Sequence, residues 1–256
     1  MLRILITNDD GIMSEGIIAL AREISKKAEV HVVAPDVERS ATGHAITIRN
    51  PLWAKEVKFG DEFFGYAVNG TPADCVKLGI QAILKDKKVD LVLSGINKGA
   101  NLGTDVMYSG TVSGALEGAL MEVPSIAISS CSNSNPNFSS AAKVTAELIE
   151  NLNLEEFPKF SALNVNVPAI SRDELKGYKL TRQSKRRFQD FFEARKDPFG
   201  NTYYWMLGEI IEDDPGEDAD YYAVRNNYVS VTPITIFYND LKFMEKLQEL
   251  SLFKND

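Results

Sequence analysis

The sequence predicts an α/β protein: a Rossmann-like, doubly wound, mostly parallel sheet followed by a C-terminal β-rich arm and a terminal helix. Three observations carry this expectation. The chain opens on a strand-helix-strand pattern, the alternation of apolar runs and helical periods continues to Val167, and after Pro168 it gives way to short aromatic segments. The 256 residues lie near the upper limit for one hydrophobic core. The expected organisation is therefore a core over residues 1–170 and an arm over residues 171–256 that serves oligomerisation.

Arg3 to Thr7 is a continuous apolar run of strand length, and Ser14 to Lys27 follows with Ile17, Ile18, Leu20, Ala21 and Ile24 on one helical face. Val30 to Pro35 is a second buried strand, which completes a βαβ unit and favours parallel pairing. Ala45 to Ile48 and Trp53 to Phe59 read as extended, and Gly60-Asp61 offers a two-residue turn into Glu62 to Val68, a hairpin excursion from the main layer. Thr71-Pro72 supplies an N-cap and a first-turn proline for a helix ending near Lys87.

Asp90 to Ser94, Ser125 to Ser129 and Leu163 to Val167 are further buried strands, separated by helices at Gly110 to Glu122 and Ala141 to Leu152. Gly110, Gly114 and Gly118 recur every four residues, which predicts a helix pressed against the sheet. Beyond Pro168, β-segments are expected around Tyr203-Tyr204-Trp205 and from Tyr228 to Ile234, then a helix from about Leu241. Glu212 to Asp220 is acidic without a calcium-loop pattern and reads as a solvated loop.

Composition narrows the function. With 44% hydrophobic and 25% charged residues the chain is too apolar to be disordered. A net charge of −8 argues against a nucleic-acid polymer as partner, since that needs a basic face. The apolar start is only strand length and runs at once into Asn8-Asp9-Asp10, so neither a signal peptide nor a membrane span is expected. Cys75 and Cys131 form no framework, and a reducing, cytoplasmic setting is expected. His31 falls within a strand and leaves His44 as the one loop histidine, which excludes a histidine-rich or cysteine zinc site. Neither GxxxxGK[ST] nor GxGxxG occurs.

Four loops at the carboxyl edge of the predicted sheet hold the candidate chemistry. Asn8-Asp9-Asp10-Gly11 is ordinary turn chemistry, yet where a strand breaks into a turn two adjacent carboxylates can converge on a hard cation such as Mg²⁺ or Mn²⁺. The Asp36 to His44 loop offers the hydroxyls of Ser40 and Thr42. Ser94 to Gly103 offers the carbonyl oxygen of Asn97, the ammonium of Lys98 and the second asparagine, Asn101, among glycines that permit close backbone approach. Tyr108 to Gly118 gathers Ser109, Gly110 and Thr111 at a helix N-terminus, where free N–H groups suit an anion.

These loops also match a family. Ile4-Leu-Ile-Thr-Asn-Asp-Asp-Gly11, Ala34-Pro-Asp-Val-Glu-Arg-Ser-Ala-Thr-Gly43, Asn69-Gly-Thr-Pro-Ala-Asp-Cys-Val76, Ser94-Gly-Ile-Asn-Lys-Gly-Ala-Asn-Leu-Gly103 and Tyr108-Ser-Gly-Thr-Val112 occur in order, with Leu163 to Pro168 and Thr181-Arg-Gln183 beyond them. On these stretches the chain resembles the survival-protein SurE family of nucleotidases. The resemblance implies a phosphatase of nucleoside 5′- and 3′-monophosphates, with some action on short polyphosphate, that uses one divalent ion. It assigns Asp9, Asp10, Ser40 and Asn97 as metal ligands and implies association through C-terminal elements into a homodimer or homotetramer.

The residues suggest how such chemistry would run. Asp9, Asp10 and Lys98 are the catalytic candidates, and Asn101, Ser109, Gly110 and Thr111 the substrate-binding ones; which aspartate takes the water's proton stays open. Two rivals remain at this point: a haloacid-dehalogenase-like phosphatase, whose Asp-x-Asp pattern is absent, and a regulatory protein that holds a nucleotide without cleaving it.

Overall fold

The computed structural model describes residues 1–59, 63–214, 216–250 and 252. In chain order the elements are β1 (Arg3–Thr7), α1 (Glu15–Ile24), β2 (Glu29–Pro35), β3 (Ala54–Phe59), β4 (Phe63–Val68), α2 (Pro72–Leu78), β5 (Leu91–Lys98), α3 (Gly110–Leu120), β6 (Ser125–Ser130), α4 (Phe138–Asn151) and β7 (Ser161–Val167). Then follow β8 (Tyr178–Leu180), β9 (Arg187–Lys196), β10 (Thr202–Ile211), α5 (Asp220–Arg225), β11 (Val229–Thr235) and α6 (Leu241–Gln248).

The α/β expectation holds: a nine-stranded sheet runs in the order β3-β4-β2-β1-β5-β6-β7-β11-β8. Strands β4, β2, β1, β5, β6 and β7 are mutually parallel, while β3 closes one side antiparallel and β11 pairs antiparallel with β7. From β1 the chain winds outward to β2 and later, from β5, in the opposite direction. That reversal opens a crevice beyond the carboxyl ends of β1 and β5, the place where such sheets bind ligands.

Alternation along each strand divides the core between two faces. Ile4, Ile6, Leu91, Leu93, Ile126 and Ile128 pack with Ile17, Leu20 and Ile24 of α1 and Val144 of α4. Leu5, Val33 and Val92 point the other way, against Cys75 and Val76 of α2. Ile4, Leu5 and Ile6 are each at most 1% exposed, and burial on this scale is worth about 1.5–3 kcal/mol per side chain. Thr71 caps α2 with a full capping box to Asp74, and Ser14 and Ser109 stand at the N-caps of α1 and α3. The glycines of α3 do lie against the sheet: a Cβ on Gly114 would sit 2.7 Å from Ser94 Oγ, and one on Gly118 2.3 Å from Ser125 Oγ.

Several expectations need correction. The segment from Trp53 to Val68 is no excursion, because β4 pairs with β2 and carries β3 into the main sheet. Its expected Gly60-Asp61 turn lies outside the described residues. Ala45 to Ile48 forms no strand. The helix expected to reach Lys87 stops at Leu78 and continues only as one π-turn, Gly79–Ile83, where a side chain on Gly79 would meet Leu5 at 2.9 Å. Tyr228 to Ile234 was expected outside the sheet, but β11 is one of its strands, with α5 and β8 beside it. Among the described strands only β9 and β10 stand apart, as a two-stranded ribbon.

The acidic stretch is not merely solvated either. Asp213 pairs with Arg187, Asp214 and Asp218 with Arg182, and Glu212 with Arg186. Asp220 is fully buried, accepting from the N–H groups of Gly103, Ser184 and Tyr221. The arginines that neutralise this stretch lie some thirty residues upstream, so local composition misrepresents it. Cys75 and Cys131 are both free. Among the described residues no helix is long and apolar enough to cross a membrane.

Helix α1 owes its position to Gly16, where a Cβ would lie 2.0 Å from the carbonyl oxygen of Ile96 on β5. Alanine favours a helix by about 1 kcal/mol over glycine, but here it must displace backbone. Gly16→Ala is therefore expected to destabilise the protein by about 1–3 kcal/mol, read from the urea midpoint. An unchanged or higher midpoint would show that α1 is free to slide and that this contact does not fix it.

Candidate active site

The turn after β1 is shaped by Asn8, whose buried amide donates to Gly11 O at 2.9 Å and to Ser14 Oγ at 2.8 Å. This holds Asp9 and Asp10 between the strand end and the start of α1. Asp9 turns inward and is 4% exposed; Asp10 is partly buried beside it. The loop after β2 is tied to the same turn, with Arg39 N–H donating to Asp9 O at 2.7 Å and Ile12 N–H to Pro35 O at 2.8 Å.

Asp9 meets the N-terminus of α3 directly. Its Oδ2 accepts from Thr111 N at 3.1 Å, and the Thr111 hydroxyl donates to Oδ1. Burial pushes the Asp9 carboxyl up, and the bonds from Thr111 and Gly110 offset only part of that. Asp10 is pushed up to about 6 by burial and by the neighbouring charge of Asp9, against the Lys98 N–H that donates to its Oδ2 at 3.0 Å. Both carboxylates thus carry a desolvation penalty, and Asp10 feels the charge of Asp9 as well. A divalent cation held by these carboxylates would offset that penalty.

The remaining predicted residues converge on the same place. Asp9, Ser40, Asn97, Lys98, Asn101 and Ser109 line one cleft of about 280 Å³, and Asp10 lines an adjoining cleft that shares Lys98. Ser40 donates its proton to Glu38 Oε1 at 2.7 Å, which leaves the oxygen lone pairs as what it can offer the cleft. Asn97 spends its amide nitrogen on Gly99 O at 2.9 Å, so its oxygen is the end it can present. Thr42, the other hydroxyl considered, donates to Arg39 O at 2.9 Å and braces its own loop. Among the described residues no group of three His, Cys, Asp or Glu side chains is placed to hold a metal. The set that fits a cation is instead two carboxylates with neutral hydroxyl and amide oxygens, the hard-donor chemistry that suits Mg²⁺ or Mn²⁺.

The structure gives the four substrate-binding candidates different surroundings from those expected. Thr111, read as a substrate donor, spends both its N–H and its hydroxyl on Asp9, and a Cβ on Gly110 would sit 2.9 Å from Asp9 Oδ2. The anion at this helix N-terminus is the protein's own carboxylate. Ser109 Oγ accepts from Val112 N at 3.0 Å as the helix cap. Asn101 is 6% exposed, and its side-chain amide donates to Ser129 Oγ at 2.8 Å while its backbone carbonyl accepts from the Asn164 and Asn166 side chains. Sequence reasoning passed over Asp105 and Tyr108, which line the same cleft. Tyr108 lies within one of the matched stretches, but Asp105 had no local signal, since its ion-pair partner is the distant Arg186.

Comparison with known proteins places this geometry in context. A family model described as Survival protein SurE matches residues 4–190. The chain is 64% identical over 248 residues to the 5'-nucleotidase SurE of Kosmotoga olearia, covering 97% of this chain and 98% of that protein. It is 61% identical to the 5'-nucleotidase SurE of Petrotoga mobilis over 96% of this chain and 98% of that one. The crystal structure of the Sure protein from Aquifex aeolicus superposes with a TM-score of 0.83 at 43% identity, over 96% of this chain and 98% of that one. The site at the carboxyl ends of β1 and β5 is therefore that of a chain belonging to the SurE family.

Proposed function

We propose that this chain is a phosphoric monoester hydrolase that converts nucleoside 5′- and 3′-monophosphates to nucleoside and phosphate with one divalent metal ion, Mg²⁺ or Mn²⁺. The observation that carries the reading is the convergence of Asp9, Ser40, Asn97 and Lys98 on one cleft, with Asp10 beside it, at the crevice of the sheet. Family membership supports the substrate class, since the similar proteins are named 5'-nucleotidases.

Asp9, Asp10, Ser40 and Asn97 would hold the ion. When bound, it would polarise a phosphoryl oxygen and lower the pKa of a water for in-line attack. The chain's own residues supply the rest. The Lys98 ammonium, exposed beside the carboxylates, pairs with phosphoryl oxygens and offsets the charge that grows on them. Thr111 and Gly110 orient Asp9, so the N-terminus of α3 acts on substrate through that carboxylate. Ser109 and Asn101 shape the wall that receives the phosphoryl group. Short polyphosphate presents the same terminal group and would use the same cleft. The unpaired cysteines suit a cytoplasmic setting.

We further propose a homodimer or homotetramer joined through the β9–β10 ribbon. A two-stranded ribbon is marginal alone. This one exposes Phe192 and Met206 on one face and Phe191 and Trp205 on the other, each at least 55% accessible. Aromatic residues in that density are typical of surface buried between subunits.

The direct test is phosphate release from adenosine monophosphate with Mn²⁺, which a nucleotide-holding regulatory protein would not give. Asp9→Asn or Asp10→Asn, folded by circular dichroism, is expected to lower turnover at least about 100-fold, since a lost ligand contact is worth several kcal/mol in the transition state. Near-native turnover at saturating metal in either variant would remove that aspartate from the site.

Gly110→Ala tests the orienting role of α3. Its Cβ would stand 2.8 Å from Asp9 Cβ. A displacement of this kind is expected to cost at least about 10-fold in turnover while the melting temperature stays within about 3 °C. Unaltered turnover would mean that Asp9 need not be held there. For the ribbon, the solution mass of the intact chain is expected to be a multiple of the monomer; a monomer at micromolar concentration refutes the proposed assembly.

A further inference from the structure

Glu117 is 2% exposed, about two turns beyond Gly110 in α3, and no step of the proposed chemistry uses it. A carboxylate so buried needs partners, and it has two from different elements. Lys77 of α2 reaches Oε1 at 2.6 Å, and His44 Nε2 lies 2.8 Å from Oε2. Burial raises the Glu117 carboxyl, but the bonds and charges of His44 and Lys77 outweigh it, so the group stays below its usual range. Lys77 already joins α2 to α3. The second partner comes instead from the loop that carries Ser40, and packing of the two helices does not call for it.

That loop has neither helix nor strand between Asp36 and Trp53. Near Ser40 it is held at three points: Arg39 N–H to Asp9 O at 2.7 Å, Gly43 N–H to Tyr108 O at 3.0 Å, and the His44 side chain. Among the described residues His44 is the only side chain from 39 to 44 that bonds to α3. Ser40 and His44 are separated by only Ala41, Thr42 and Gly43, with Ala41 at φ 56° and Gly43 at φ 55°, so two left-handed residues curl the short stretch between them. Farther on, Thr71 Oγ1 bonds Ala45 O at 2.7 Å and Asp74 accepts from Thr47, so the loop is anchored downstream without His44.

We infer that the His44–Glu117 pair is a latch fixing the Ser40 loop over the carboxylate pair, which makes His44 a positioning residue for cation binding. The inference rests on the ligand set proposed above. It also separates the two partners of Glu117: Lys77 serves the fold, and His44 serves the site.

The test uses the full-length, metal-stripped protein, with Mn²⁺ as the probe. His44→Ala leaves Glu117 paired with Lys77, so the fold should persist. It is expected to speed amide hydrogen exchange at residues 39–44 and to weaken calorimetric Mn²⁺ affinity about 10-fold, the scale set by groups that orient ligands from behind. His44→Gln, whose amide can still donate, should recover most of the affinity. Lys77→Met, which removes a charge from the same carboxylate but leaves the latch, should leave exchange at residues 39–44 and Mn²⁺ affinity near those of the wild type. Unchanged exchange in His44→Ala, faster exchange without loss of affinity, or an equal loss of affinity in Lys77→Met each overturns the latch. A wild-type chain that binds no Mn²⁺ overturns the ligand assignment instead, and the exchange measurement, which needs no metal, then tells whether His44 holds the loop.

Discussion

A carboxylate taken out of water must be met by donors or by charge, and Asp9 is the place where this chain accepts that cost. Thr111 and Gly110 answer part of it, and the rest is carried as a raised pKa shared in kind by Asp10. From this follow the glycine at the first position of α3, the buried threonine behind it and the ties that bring the loops after β1 and β2 together. The site is arranged around two crowded carboxyl groups, more than around donors left free for a phosphate.

Much of the fold was legible because parallel strands buried on both faces read as largely apolar runs, as β1, β5 and β6 do, with His31 the one polar residue between Val30 and Pro35 of β2 and Asn164 and Asn166 alternating through β7. Their boundaries came within a few residues, as with Arg3–Thr7. What escaped the reading lacked such a local signature. β8 has three residues and α5 has six; β11 was expected as a strand, but not its place in the sheet, because it pairs with a strand far back in the chain. The acidic stretch misled for the same reason, since its compensating arginines are distant in sequence.

The candidate site was legible as residue types at a sheet edge, and the cleft does gather Asp9, Ser40, Asn97 and Lys98. What the sequence could not disclose was who bonds to whom. A threonine at a helix N-terminus looks the same whether it faces a ligand or a carboxylate of the same chain, and only the fold assigns Thr111 to Asp9. Asp105 and Glu117 were invisible for a related reason, since their partners Arg186 and His44 approach from other elements.

The position of β11 bears on how the molecule comes into being. Strand β7 has one neighbour in β6, and its other side is closed only by β11, after the whole span from Pro168 to Tyr228 has intervened. During synthesis the parallel layers through Val167 can collapse while that side of β7 still presents unpaired N–H and C=O groups. The nascent chain therefore passes through an interval in which its most sociable surface is a bare strand, and the speed of translation through the ribbon sets how long that interval lasts.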